Sequence, residues 1–344
     1  FSSQGDANYQ EIIDELLKQR QSMLASSAFR SFAYIVLVSA VIWAFLKDKI
    51  NSTILIAVIG VLGLFDLVQI GKDYLDKKDF VTKNTYKQNF EARPVDTQIL
   101  QDNDPNFRVY DATINTFNSA STSYFHKTIG GYHAAKLQRY QDIIDRHISK
   151  NNQGVLNMLN TKYFILQGAD GSPTVQRNPA ALGNAWFVNN IIQVPDANAE
   201  IDSLTSFDPA GDAVVHNEFK DYIANLTPSK NGAITLKSYH PNKLVYESNT
   251  EGEQFAVFSE VWYGPNKGWQ ASIDGKPVDH IRTNYLLRGL KIPSGKHEVI
   301  FEFKPQAYFL GETISLISSL ILIGLLIFYI YTQVRPSKDS VVKA

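Results

Sequence analysis

The chain has 344 residues, 44% of them hydrophobic, with 33 Lys and Arg against 34 Asp and Glu, a formal net charge of −1 and no cysteine. That near-neutral balance offers no bulk attraction for nucleic acid. The lack of thiols excludes disulfides, thiolate catalysis and Cys-ligated zinc.

In chain order, Asn8–Leu24 reads as an amphipathic helix, with Ile12, Ile13, Leu16, Leu17 and Leu24 on its apolar side. Two apolar spans follow, Ala28–Leu46 and Ile50–Ile70, and a third, Ile314–Val334, ends the chain. Each is close to the roughly 20 residues that cross a bilayer as helix. Lys47-Asp48-Lys49 is a tight connection, so the first two spans form an antiparallel hairpin. Flanking lysines and arginines fall at both ends of the spans, so charge counting leaves the orientation open. Asp66 lies inside the second span, where an ionisable group is costly unless paired or solvated. It either meets Lys72 or Arg30 at the interface or faces a cavity where substrate meets membrane.

The long middle stretch begins as mixed α and β. Phe107–Tyr110 reads as a strand, Tyr132–Ile148 as a helix with Leu137, Tyr140, Ile144 and Ile148 on its buried side, and Asp142 and Arg146 as an i,i+4 pair. Val155–Leu159 is a short helix, Lys162–Leu166 and Trp186–Ile192 are strands, and Ala197–Leu204 and Glu218–Leu226 are short helices. From Gly232 the pattern is strands only: Ala233–Tyr239, Lys243–Ser248, Phe255–Tyr263, Trp269–Ile273, Pro277–Ile281, Tyr285–Ile292 and His297–Phe303. Asp274-Gly275 is a strong hairpin signal, and Val299, Phe301 and Phe303 alternate with charged residues. The expected organisation is an amphipathic segment 1–27, a transmembrane hairpin 28–70, a mixed α/β region 71–229, a small antiparallel β-sandwich 230–308, a transmembrane helix 309–334 and a tail 335–344. The chain opens on Phe1 without a signal-peptide layout, and the expectation is the C-terminal portion of a longer protein.

No phosphate loop, nucleophile elbow or dinucleotide fingerprint is present, so no cofactor is expected. His126, His133 and His147 lack the i,i+4 spacing of a metal pair, and no metal is expected. Asp102-Asn103-Asp104 reads as a turn. Two constellations point to ligands. Gly130-Gly131-Tyr132-His133 with Lys136 and Arg139 places glycines and basic residues at a helix start, an arrangement suited to phosphate; the plain alternative is a glycine turn feeding a solvated basic helix. Trp262 and Trp269, with Tyr263, bracket Gly264–Gly268 and suit stacking on sugar faces; the plain alternative is core packing.

The text Phe258-Ser259-Glu260, Gly268-Trp269-Gln270-Ala271, Ile273-Asp274-Gly275-Lys276-Pro277, Asn284, Leu287-Arg288-Gly289 and Pro293-Ser294-Gly295-Lys296-His297 resembles the C-terminal region of the bacterial YfhO family of multi-pass membrane proteins. Gly130–Tyr140, Asn157–Phe164 and Asn178–Val188 resemble its longer-domain branch, so the resemblance spans nearly the whole chain. It implies a glycosyltransferase-like protein of the bacterial cytoplasmic membrane, with 71–313 as an extracytoplasmic α+β domain on an α-helical anchor. The donor it implies is a polyprenyl-phosphate sugar, the acceptor an envelope glycan or polymer, and membrane lipid a further partner. The acidic base of such enzymes sits in an early outer loop that nothing here matches, so no catalytic residue is assigned. The competing expectation is a non-enzymatic envelope protein that binds glycan or protein partners.

Overall fold

The structure is a computed structural model that describes residues 3–88, 90–228, 231–264 and 267–334. The expected tail 335–344, with Arg335, Lys338 and Lys343, and Pro265-Asn266 of the Gly264–Gly268 loop lie outside the described residues. The chain divides into two compact units, Phe1–Asn89 and Phe90–Ala344.

The first unit is a helical hairpin. α1 runs unbroken over Ser3–Leu46 and α2 over Ser52–Tyr74. The expected break between an amphipathic helix and the first span does not occur. Ala25-Ser26-Ser27 offers neither proline nor glycine, so nothing interrupts the backbone bonds. At 1.5 Å per residue, α1 is about 66 Å long, roughly twice a hydrocarbon core. Asp48, at φ 57°, turns the chain, and Asn51 Oδ1 caps α2 by accepting the Ile54 N–H at 2.9 Å. Arg30 Nε lies 3.7 Å from Asp66 Oδ1 across the hairpin. A 3-10 turn at Lys77–Asp79 and α3 at Lys83–Gln88 complete the unit.

The second unit opens with α4 (Pro94–Ile99), β1 (Arg108–Asp111), α5 (Ser121–Phe125), α6 (Gln138–Arg146), α7 (Gln153–Met158), β2 (Thr161–Gln167) and β3 (Pro173–Arg177). β1 pairs parallel with β2, and β2 antiparallel with β3. Asp102 and Asp104 hold the Lys162 ammonium at 2.7 and 2.9 Å, so that turn carries a lysine as its cation. β4 (Ala185–Phe187), β5 (Asn190–Val194), α8 (Ala197–Ser203) and β6 (Asp212–His216) follow, with β5 and β6 forming a parallel pair. The single expected strand Trp186–Ile192 is thus two strands in different sheets. The expected helix Glu218–Leu226 is only a 3-10 turn at Asn217–Phe219.

The remaining strands are β7 (Gly232–His240), β8 (Lys243–Thr250), β9 (Gln254–Val261), β10 (Trp269–Ile273), β11 (Lys276–Val278), β12 (Ile281–Thr283), β13 (Leu287–Ile292) and β14 (Gly295–Phe303), followed by α9 (Gln306–Val334). They build two antiparallel sheets, β11-β10-β14-β8-β7 and β12-β13-β9-β4. Between them lies a core of Tyr246, Phe258, Phe301, Leu290, Ile292 and Val299. Three rings meet edge to face, with Phe258 4.8 Å from Phe301 and 4.9 Å from Tyr246. β9 does not alternate, because both faces of its sheet are covered. Ala256 and Phe258 face the sandwich core, whereas Phe255 and Val257 join a second core with Leu156, Ile201 and Val214. A strand buried on both faces reads as a continuous apolar run. The sandwich also recruits β4, through Phe187 opposite Ala256, so residues 71–229 and 230–308 share a sheet. Removing the central ring by Phe258→Ala will cost about 3–5 kcal/mol of stability, measurable by denaturant unfolding in mild detergent.

Three helices, Gln10–Leu46, Ser52–Lys72 and Gln306–Gln333, are long and apolar enough to cross a membrane.

Candidate functional site

A cavity of about 210 Å³ in the second unit is lined by residues from four places in the sequence. Leu137, Gln138 and Arg139 come from the start of α6. Trp262, Tyr263 and Lys267 follow β9. Arg282 sits on β12, and Tyr285 and Leu286 form the turn into β13. The lining thus carries three cations and three aromatic rings but no carboxylate. The acids lie behind the cations. Arg139 Nη1 is 3.5 Å from Glu200 Oε2, and its guanidinium stands 4.4 Å from the Tyr285 ring centre. Arg282 is only 6% exposed. It bonds Glu218, approaches Glu200 at 3.7 Å and lies 5.5 Å from both the Trp262 and the Phe219 rings. Arg282 Nε and Trp262 Nε1 are buried without a hydrogen-bond partner among the described residues. Buried donors in that state are costly and call for a partner.

The turn that presents Tyr285 is strained. Asn284 and Tyr285 adopt φ of 49° and 67°, and the Leu286 N–H donates to the Asn284 carbonyl at 2.8 Å. Such a γ-turn is rare, and positive φ at a bulky residue costs about 1–3 kcal/mol. Surrounding bonds hold it. The Asn284 N–H donates to Val214 O at 2.8 Å, and Asn284 Oδ1 accepts the Val214 N–H at 2.7 Å. The Tyr285 N–H donates to Glu200 Oε1 at 3.0 Å, and its hydroxyl to Asp142 Oδ2 at 2.6 Å. Burial pushes the Tyr285 phenol up to about 12, with Asp142 adding to the shift. The Tyr285 hydroxyl in turn holds the Asp142 carboxyl below its ordinary range. Glu200 is 0% exposed, and burial raises its carboxyl against the pull of Arg282, the Tyr285 amide and Arg139.

Of the ligand candidates singled out in the sequence, Arg139, Trp262 and Tyr263 meet in this cavity. The helix expected from Tyr132 begins only at Gln138, so Gly130, Gly131, Tyr132, His133 and Lys136 precede it in a loop. The two glycines serve close packing. A Cβ on Gly130 would stand 2.1 Å from Thr116 O, and Gly131, at φ 92°, donates its N–H to that carbonyl at 2.7 Å. Tyr132 is 68% exposed, His133 Nδ1 accepts the Ala135 N–H, and Lys136 Nζ lies 5.9 Å from the Phe117 ring. The helix start still faces the cavity, shifted to Leu137–Arg139, and no side chain caps it among the described residues. Asp142 and Arg146 do not pair with each other; Arg146 bonds Asp202 at 2.6 Å. Trp269 is elsewhere, beneath the Arg288 guanidinium at 4.0 Å and beside Phe303. His126 lies 3.1 Å from Asp96, and His147 2.9 Å from the Ile201 carbonyl. Among the described residues no cluster of three His, Asp or Glu has metal-binding geometry. Sequence reading missed Glu200, Arg282 and Tyr285. The one local signal was a basic residue flanked by the strand-forming Ile281 and Thr283.

The three apolar helices and the α+β region with its antiparallel sheets define a membrane protein whose folded domain leads directly into its last helix. Residues 213–315 match the family described as bacterial membrane protein YfhO, and over that stretch the resemblance read from the sequence holds. The matched stretch contains Trp262, Tyr263, Lys267, Arg282 and Tyr285, whereas Arg139 and Glu200 lie outside it. No curated protein and no solved structure matches the chain.

Proposed function

We infer that this chain belongs to a glycosyltransferase-like protein of the bacterial cytoplasmic membrane, with its large domain outside, acting on a polyprenyl-phosphate sugar to modify an envelope glycan or polymer. The observation that carries this reading is the cavity itself, with guanidiniums and a lysine beside aromatic faces and carboxylates only behind them. Arg139, Arg282 and the start of α6 suit the phosphate. Trp262 and Tyr263 suit the apolar face of a sugar. In the transfer, an acceptor hydroxyl oxygen bonds to the anomeric carbon while the bond from that carbon to the phosphate breaks. The arginines stabilise the departing phosphate, and the cavity supplies positioning. The base that takes the hydroxyl proton is not assigned in this chain.

One observation favours a second reading, a non-enzymatic envelope protein that binds glycan. Glu200, Glu218 and Asp142, the acids nearest the cavity, are all engaged by Arg282, Arg139 or Tyr285. Titration of purified protein with citronellyl phosphoglucose, a short-chain lipid-phosphate sugar, tests the shared element of both. Arg139→Met and Arg282→Met are expected to weaken binding roughly tenfold or more each, the scale of a lost charge-assisted hydrogen bond. Absent binding in the wild type, or binding indifferent to both substitutions, contradicts the reading. Sugar transfer by the wild type in proteoliposomes separates enzyme from binding module.

A further inference from the structure

We propose that a second cavity, at the junction between the β-sandwich and α9, holds the phosphate headgroup of an anionic membrane phospholipid. The inference does not rest on the reading of the first cavity. The second measures about 460 Å³ and is lined by Lys267, Gly268, Gln270, Lys304 and Gln306, with Tyr263 and Lys267 forming the wall shared with the first.

Its height relative to the bilayer is fixed by covalent and packed structure. β14 ends at Phe303 and α9 begins at Gln306, so two residues separate sheet from membrane helix. The Lys304 N–H donates to Gly268 O at 2.6 Å. Gly268, at φ 125°, lets the chain pass so closely that a Cβ there would stand 2.6 Å from the Phe303 ring and 3.0 Å from Pro305. The start of β10 is thereby clamped to the start of the membrane helix. Exposed Tyr308 and Phe309 lie in the first turn of α9, the position of interfacial aromatic rings. A cavity lined by Gln306 therefore opens at headgroup level.

Its chemistry is that of a phosphodiester site. Lys267 and Lys304 supply two ammonium groups, and Gln270 and Gln306 two amide donors. Lys267 Nζ lies 5.5 Å from the Tyr263 ring. Lys304 Nζ lies 2.8 Å from Glu302 Oε2, a pair with an exposed ammonium and a half-buried carboxylate, of the kind that contributes little and is readily exchanged for a stronger anion. The acyl chains of a lipid so held stay in the bilayer beside α9.

Native mass spectrometry of the full chain, released from nanodiscs of equimolar phosphatidylglycerol and phosphatidylcholine, tests the proposal. The expected result is selective retention of phosphatidylglycerol. Lys304→Gln, which touches only this cavity, should reduce that retention about fivefold, and Lys267→Gln with Lys304→Gln by more than tenfold. Lys276→Gln, at the start of β11 beyond the Asp274-Gly275 turn, should leave it unchanged. All three positions are solvent-exposed, and an unaltered melting temperature shows that the variants fold. Equal retention of both lipids, equal loss in all three variants, or complete displacement by inorganic phosphate, which would mark a site for the free ion, overturns it.

Discussion

Glu200→Ala is expected to lower the unfolding free energy by about 3–5 kcal/mol, the usual result of removing one member of a buried ion pair. Glu200 is fully buried, and its two oxygens serve three groups. Oε1 accepts the Tyr285 N–H, and Oε2 faces Arg139 and Arg282. Alanine leaves a buried guanidinium with Glu218 alone, orphans an amide, and frees a turn that positive φ already strains. Glu200→Gln retains an acceptor for the Tyr285 N–H and should cost distinctly less, about 1–3 kcal/mol. Urea unfolding in mild detergent, followed by tryptophan fluorescence, gives both values. Equal, small effects for the two substitutions would mean that Glu200 does not organise the arginines.

His280 is expected to contribute a loss of about 3 kcal/mol of stability as the pH drops from 6.5 towards 4. Its ring is 4% exposed, lies 5.3 Å from the Phe301 ring, and has no hydrogen-bond partner on either nitrogen among the described residues. Burial, reinforced by the nearby Arg288, lowers the imidazole from 6.5 to about 4. The unfolded chain then binds a proton that the folded chain refuses, so the stabilisation is complete above the unfolded value and is lost as the pH falls towards the folded one. At roughly 1.4 kcal/mol per pH unit the loss reaches the stated size. Burial lowers His126 and His147 as well, and both add to the slope in the same direction. His280→Phe should remove that part of the profile. An unchanged pH dependence in that variant rules His280 out as its source.

The elements legible in the sequence were those fixed by local rules. The Asp274-Gly275 hairpin forms with φ of 48° and 76°, as its two-residue turn demands. The alternation in β14 places Val299 and Phe301 in the core, and the three apolar spans are helices. What escaped depended on distant partners. β9 carries no alternation because a second layer covers its outer face; the apolar run Phe255–Phe258 reflects that double burial, but the residues that form the layer lie far away in the chain. α6 starts at Gln138, and the glycines expected to open it are instead packed against Thr116. The candidate site was half visible. Arg139 and Trp262 stood out by type, but the Tyr285 hydroxyl that meets Asp142 is 143 residues away from it, and Glu200 is 85 residues from the amide it accepts. No spacing rule reaches that far.

The central claim is that the cavity between α6 and the turn at Tyr285 receives a lipid-phosphate sugar. Photocrosslinking with a diazirine-bearing polyprenyl-phosphate sugar in proteoliposomes, with the labelled peptides sequenced by mass spectrometry, tests it most directly. The account predicts labelling of the segments around Arg139 and Trp262, competed by unlabelled donor and lost in Arg282→Met. Labelling confined to the membrane helices, or persisting undiminished in that variant, would contradict it.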